Sequence, residues 1–149
     1  MGLQDKIMEA IKTAMRAKDT VTLESLRAVK SALLLAQTES GAKQDISQED
    51  EIKLLQRLVK QRKDSARIFT EQGRQDLADP ELEQAAVIEK FLPEQLSEEE
   101  VEAVIKKIIA DNNFTGMADM GKVMGLAGTQ LAGSADGKTI STLVRKNLV

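Results

Sequence analysis

Histidine and cysteine are both absent from this 149-residue chain, and so are tryptophan and tyrosine. Without them there is no Ser-His-Asp or Cys-His nucleophile system, no usual zinc ligand set and no disulfide framework. The lack of cysteine suits a reducing compartment. Phe69, Phe91 and Phe114 are the whole aromatic content, which leaves no platform for stacking splayed bases. Long apolar runs are missing too: the longest, Ala32 to Ala36, falls far short of the roughly 20 residues a helix needs to cross a bilayer. The opening Met1-Gly2-Leu3-Gln4-Asp5-Lys6 has no apolar signal core, and Lys6 stands where a myristoylation signal wants Ser or Thr. These absences predict a cytoplasmic protein with no membrane segment, no metal, no cofactor and no self-sufficient catalytic site.

An excess of charge is also lacking. The 21 basic and 24 acidic residues leave a net charge of −3, split as 15 against 16 up to Pro93 and 6 against 8 beyond it. That balance argues against a generic polyanion binder, so any nucleic-acid contact must come from a local arrangement of cations.

What is present is aliphatic. Apolar residues make up 42% of the chain, and Leu, Ile, Val, Ala and Met interdigitate well between helices. Every long segment shows the 3.6-residue period and none shows sustained alternation, which predicts an all-α fold. Leu3, Ile7, Ile11, Ala14 and Met15 form one face of a first helix that breaks at Lys18-Asp19-Thr20. A second helix, roughly 20 to 39, carries Leu26, Val29, Leu33 and Ala36 and ends near Gly41. Ser47 with Asp50 three residues on marks the start of a long third helix, which runs to about Gln72 before Gly73. Asp79-Pro80 reads as an N-cap followed by proline at the first helical position of a fourth helix, ending at Phe91-Leu92 because Pro93 disfavours the α region before it.

The segment Leu92-Pro93-Glu94-Gln95-Leu96 marks the expected boundary between a four-helix N-terminal domain, 1–93, and a small three-helix domain, 94–149. Ser97 and Glu100 form a capping box, with Leu96 placed to staple onto Val101. Beyond a helix from 98 to about 111 lie a glycine-rich middle, around 116 to 137, and a last helix from about 138 to 148 that buries Ile140, Leu143, Val144 and Leu148. So short a unit buries little area alone, and a neighbour or partner is expected to support it.

Two loops invite a ligand reading that their context refuses. Gly116 to Gly121-Lys122 has phosphate-loop spacing, but Val123 replaces the magnesium-ligating Ser or Thr and a helix, not a strand, precedes it. Its glycines are expected to serve turns and close helix packing. Gly133 to Lys138 has the residues of a turn entering an N-cap, without calcium-loop spacing. The cluster Glu98-Glu99-Glu100 fits a first helical turn, where the macrodipole favours acids.

The third helix holds the most informative pattern. At about 100° per residue, Leu55, Leu58, Ala66 and Phe69 share one side, flanked by Leu54 and Val59, while Lys53, Arg57, Lys60 and Arg67 share the other, interrupted by Asp64. This is either a solvated face or a surface for RNA or an acidic partner. Arg62 falls on the apolar side and is expected to form a structural ion pair with a carboxylate, or to meet several backbone carbonyls, from a neighbouring helix. The last helix repeats the theme with Lys138, Arg145 and Lys146 around Thr142. Without aromatics, RNA binding would read shape and phosphates.

Six runs together resemble the YqeY-like branch of the GatB/YqeY domain family: Thr13 to Asp19 (TAMRAKD), Leu26 to Lys30 (LRAVK), Lys60 to Ser65 (KQRKDS), Gly73 to Leu77 (GRQDL), Phe91 to Glu100 (FLPEQLSEEE) and Asp119 to Gly125 (DMGKVMG). They span nearly the whole chain in order. The resemblance implies a four-helix domain followed by a three-helix domain similar to the tail of the GatB component of aspartyl/glutamyl-tRNA amidotransferase, which helps hold tRNA. It further implies Lys122 and Lys138 as the motif cations of the small domain, and carbon-nitrogen ligase activity with glutamine as amido donor only as a component beside other subunits. Gln130 and Ala132 depart from the pattern, since relatives often carry lysine there. The expected partners are therefore tRNA or a tRNA-linked enzyme, or a protein docked through residues 94–149.

Overall fold

The structure, a computed structural model, describes residues 2–39 and 46–149. Its regular elements are α1 (Leu3–Ala17), α2 (Thr20–Glu39), α3 (Gln48–Glu71), α4 (Gln75–Glu89), α5 (Glu98–Asn112), a 3-10 turn (Met117–Asp119), α6 (Met120–Gln130) and α7 (Gly137–Leu148). No strand occurs among the described residues, so the chain is all-α there. The expected end of the second helix near Gly41 lies outside them. Contacts divide the chain into two compact units, Met1–Leu92 and Pro93–Val149.

In the first unit α1 packs on α2, α3 on α4, and α2 also on α3 and α4. The core they close includes Ile7, Ile11, Leu26, Val29, Leu33, Leu54, Leu55, Leu58 and Ile88. Ser47 caps α3 as its spacing predicted, its hydroxyl accepting from the Asp50 N–H at 3.1 Å. Gly73 ends that helix. At φ 74° it closes a reversal in which its own N–H donates to the Thr70 carbonyl (3.0 Å) and that of Arg74 to Phe69 (2.8 Å), the double bond of a Schellman motif.

That reversal corrects the reading of Asp79-Pro80 as a helix start. The chain turns back into helix at once, so α4 begins at Gln75 and Pro80 lies inside it. Proline there removes a bond to the Asp76 carbonyl, but both residues are exposed, where solvent can serve that oxygen. The Asp79 carboxylate instead accepts from the Gln75 side-chain amide at 2.6 Å. At the far end α4 stops at Glu89, and Phe91 and Leu92 donate to the carbonyls of Ile88 and Glu89, each at 3.0 Å, a tighter closing turn than the expected continuous helix.

In the second unit α5, α6 and α7 pack mutually around Val101, Ile105, Ile108, Val123, Ala127, Leu131, Ile140, Leu143, Val144 and Leu148, with Leu96 against the same cluster. The capping box is complete: Ser97 accepts from the Glu100 N–H, and the Glu100 carboxylate accepts from the Ser97 N–H, both at 3.2 Å. Gln95 Nε2 donates to the Gly133 carbonyl at 2.6 Å and the Leu96 N–H to that of Ser134 at 2.9 Å, which ties the entry of this unit to the turn before α7. Asp136 caps α7, accepting from the Thr139 N–H at 2.6 Å.

Candidate nucleic-acid interface

The candidate cations of the first unit are placed by the same helix that builds its core. Leu54, Leu55, Leu58, Val59 and Ala66 of α3 are buried, with Phe69 half-buried, and the 3.6 period turns Lys53, Arg57, Lys60 and Arg67 outward. All four are exposed. From Lys53 to Arg67 the ridge is about 21 Å long, from the helical rise of about 1.5 Å per residue.

The ridge is partly neutralised from within. Lys53 Nζ lies 3.2 Å from Glu49 and Lys60 Nζ 3.1 Å from Asp64, both as i,i+4 pairs with exposed partners. Asp64 was legible as the break in the stripe; the role of Glu49, one turn before its first lysine, was missed and could have been found from the same spacing. Arg57 and Arg67 have no ion pair among the described residues.

Arg62 requires a correction. Among the described residues it meets neither a carboxylate nor a neighbouring helix's carbonyls: Nε donates to the side-chain oxygen of Gln84 on α4, and a terminal nitrogen to the Leu58 carbonyl of its own helix, each at 3.1 Å. The side chain is only half-buried, so its charge keeps enough water to do without a counter-ion, and a neutral amide satisfies the part turned inward. An ion pair does join these two helices at the adjacent position, Lys63 with Glu89.

In the second unit Lys138 and Arg145 stand seven positions apart on one face of α7, both exposed and without an ion pair among the described residues. Thr142 between them donates its hydroxyl to the Lys138 carbonyl at 2.9 Å, so it serves the helix. Lys146 is paired with Glu102 at 3.4 Å. Lys122, on α6, sits 3.8 Å from Asp119.

Glu102 on α5 is the electrostatic hub of this unit. It accepts from Asn147 Nδ2 at 3.3 Å and lies 3.7 Å from Lys106 and 3.4 Å from Lys146. Its carboxyl is held below the ordinary glutamate range, first by the Asn147 hydrogen bond and then, against partial burial, by the two lysine charges. A depressed folded pKa gives stability that is complete above the unfolded value and lost as pH falls through the folded one. The thermal midpoint of the second unit should therefore start to drop below about pH 4.3. Glu102→Gln should flatten that part of a melting-versus-pH curve.

The glycine-rich middle, expected to serve turns and close helix packing, holds two turns and the helix α6 (Met120–Gln130) between them. Gly116 (φ 71°) and Gly133 (φ 79°) hold turns that need positive φ. By contrast, a Cβ at Gly121, Gly125 or Gly128 of α6 would meet nothing within 4 Å, so among the described residues these glycines do not serve close packing. A helix, α5, precedes the Gly116 turn, as the phosphate-loop exclusion required. Among the described residues no cluster of three or more acids could hold a metal, and no helix is long and apolar enough to cross a membrane.

A family model described as YqeY-like protein matches residues 4–148. The E-type component of glutamyl-tRNA(Gln) amidotransferase from Thermococcus gammatolerans is 44% identical over 73 residues, covering 46% of this chain and 12% of that protein. Its counterpart from Methanococcus maripaludis is 47% identical over 57 residues, 36% of this chain and 9% of that protein. Altered inheritance of mitochondria protein 41 from Clavispora lusitaniae, a mitochondrial protein, is 35% identical over 82 residues, 55% of this chain and 46% of that protein. The chain thus spans less than half the length of these relatives.

Proposed function

Because the chain belongs to the YqeY-like family, we propose that it is a non-catalytic accessory module that binds tRNA through the outward cations of α3, with Lys122, Lys138, Arg145 and Lys146 as a second set. On this reading residues 1–93 and 94–149 act as two domains, and the protein works in the cytoplasm beside a tRNA-processing enzyme. The observation that carries it is the ridge: an exposed line of four cations on a helix whose other face is core, in a chain similar to a protein named for a tRNA amidotransferase. Recognition would rest on phosphates and shape. Such a module adds affinity to an amide-forming complex without supplying its chemistry, and glutamine-dependent carbon-nitrogen ligation is expected only with partner subunits present. Titrating bulk tRNA across 50 to 200 mM salt tests the reading. Up to four phosphate contacts imply a fall of up to roughly 10² in affinity over that range; no binding at the lowest salt contradicts it.

One observation favours a second reading, a protein adaptor docking through residues 94–149. Each helical glycine costs about 1 kcal/mol relative to alanine, and Gly121, Gly125 and Gly128 gain no internal contact in return. Capture of a protein by the full chain after nuclease treatment, undiminished by charge reversal on α3, supports the adaptor.

A further inference from the structure

The ridge of α3 carries its own restraint. Its four cations are accompanied by two carboxylates that each hold a lysine, Glu49 on Lys53 at 3.2 Å and Asp64 on Lys60 at 3.1 Å. Glu49 closes one end of the ridge and Asp64 lies within it, between Lys60 and Arg67. A phosphate approaching either lysine must share the ammonium with a carboxylate already bonded to it or displace that carboxylate, and it meets the carboxylate's negative charge at short range. Resting on the RNA-binding reading, we propose that Glu49 and Asp64 are attenuators of the site: they hold two of its four cations in reserve and leave Arg57 and Arg67 as the primary phosphate contacts.

The pairs are exposed and intrahelical, which makes them weak enough to open. They set the strength of binding without forbidding it. The site is thereby tuned toward weak, reversible contact, the behaviour required of a module that must release its RNA. Screening by salt acts on both sides of this competition, so the reserve shows in how steeply affinity depends on salt.

The test is a titration of bulk tRNA against the full chain at several salt concentrations between 50 and 200 mM, for wild type, Glu49→Gln, Asp64→Asn, the double variant, Arg57→Gln with Arg67→Gln, and Glu83→Gln. The last removes a charge from an exposed residue of α4 and controls for net charge alone. Each freed lysine should steepen the slope of log affinity against log salt by up to about 0.9, the duplex value per phosphate contact, and tighten binding at 50 mM several-fold, while Glu83→Gln leaves the slope unchanged. Two outcomes overturn the proposal while the binding reading stands: the arginine variant weakens binding but Glu49→Gln and Asp64→Asn match wild type, or Glu83→Gln gives the same gain. If the arginine variant also binds as wild type does, the site itself lies elsewhere and the reading beneath the proposal fails. Circular dichroism melting of each variant confirms that α3 is intact.

Discussion

Changing Lys53, Arg57, Lys60 and Arg67 together to glutamate weakens tRNA binding by at least about 10²-fold in 50 mM salt, because the phosphate contacts of Arg57 and Arg67, at a slope of about 0.9 each, are lost together with the two reserve lysines, and four repulsions replace them. The effects should not be equal one by one. Lys53 and Lys60 already share their charge with Glu49 and Asp64, so Arg57→Glu and Arg67→Glu should each cost more than either lysine reversal. The fold survives the change, since the buried face of α3 is untouched. The two carboxylates that replace the lysines would stand against Glu49 and Asp64, like-charge i,i+4 pairs that each destabilise a helix by a few tenths of a kcal/mol. A variant with glutamine at the four positions avoids that repulsion and should lose binding with an unaltered melting curve.

The second large effect concerns stability. Ile105 of α5 is fully buried in the second unit's cluster, and Ile105→Ala removes methylene groups from the core that α5, α6 and α7 close together. Such truncations cost about 2 to 5 kcal/mol, a large part of the stability of any small domain. Hydrogen exchange read by mass spectrometry should show the amides of α5, α6 and α7 losing most of their protection. Those of α1 to α4 in the other unit should change little. Equal loss of protection in both units would show that they unfold as one.

What could be read in advance divides along a physical line. Signals carried by neighbours in the chain were legible: Ser47 and Ser97 cap the helices they precede, Gly73 ends α3, and the buried faces of α3 and α7 fall where the period put them. The misreadings arose where a local signal met a tertiary constraint. Asp79-Pro80 has the composition of a helix start, but the chain re-enters helix at Gln75 directly after the Schellman turn at Gly73, and an exposed proline early in it was tolerated. Arg62 sits on the side of α3 turned toward α4, yet its partner depended on which α4 residue came opposite, and that was the neutral Gln84. The α6 glycines resembled a packing motif, and only coordinates could show open space beside them. Of the candidate interface, the outward line of cations was visible from periodicity, and the i,i+4 spacing of Glu49 to Lys53 and of Lys60 to Asp64 made those pairs available; that Asp64 takes Lys60 and not the nearby Arg67 was not legible, because rotamers decide between competing partners.

The central claim is that the outward side of α3 faces RNA. Nuclear magnetic resonance of the 15N-labelled chain titrated with tRNA tests it most directly, because the arginine side-chain Nε–H signals can be followed with the backbone. The ridge requires that the Arg57 and Arg67 side-chain resonances shift or broaden first, with those of the half-buried Arg62 and of Arg74 unmoved until later. Perturbations that leave Arg57 and Arg67 unchanged while tRNA binds elsewhere on the chain would contradict it.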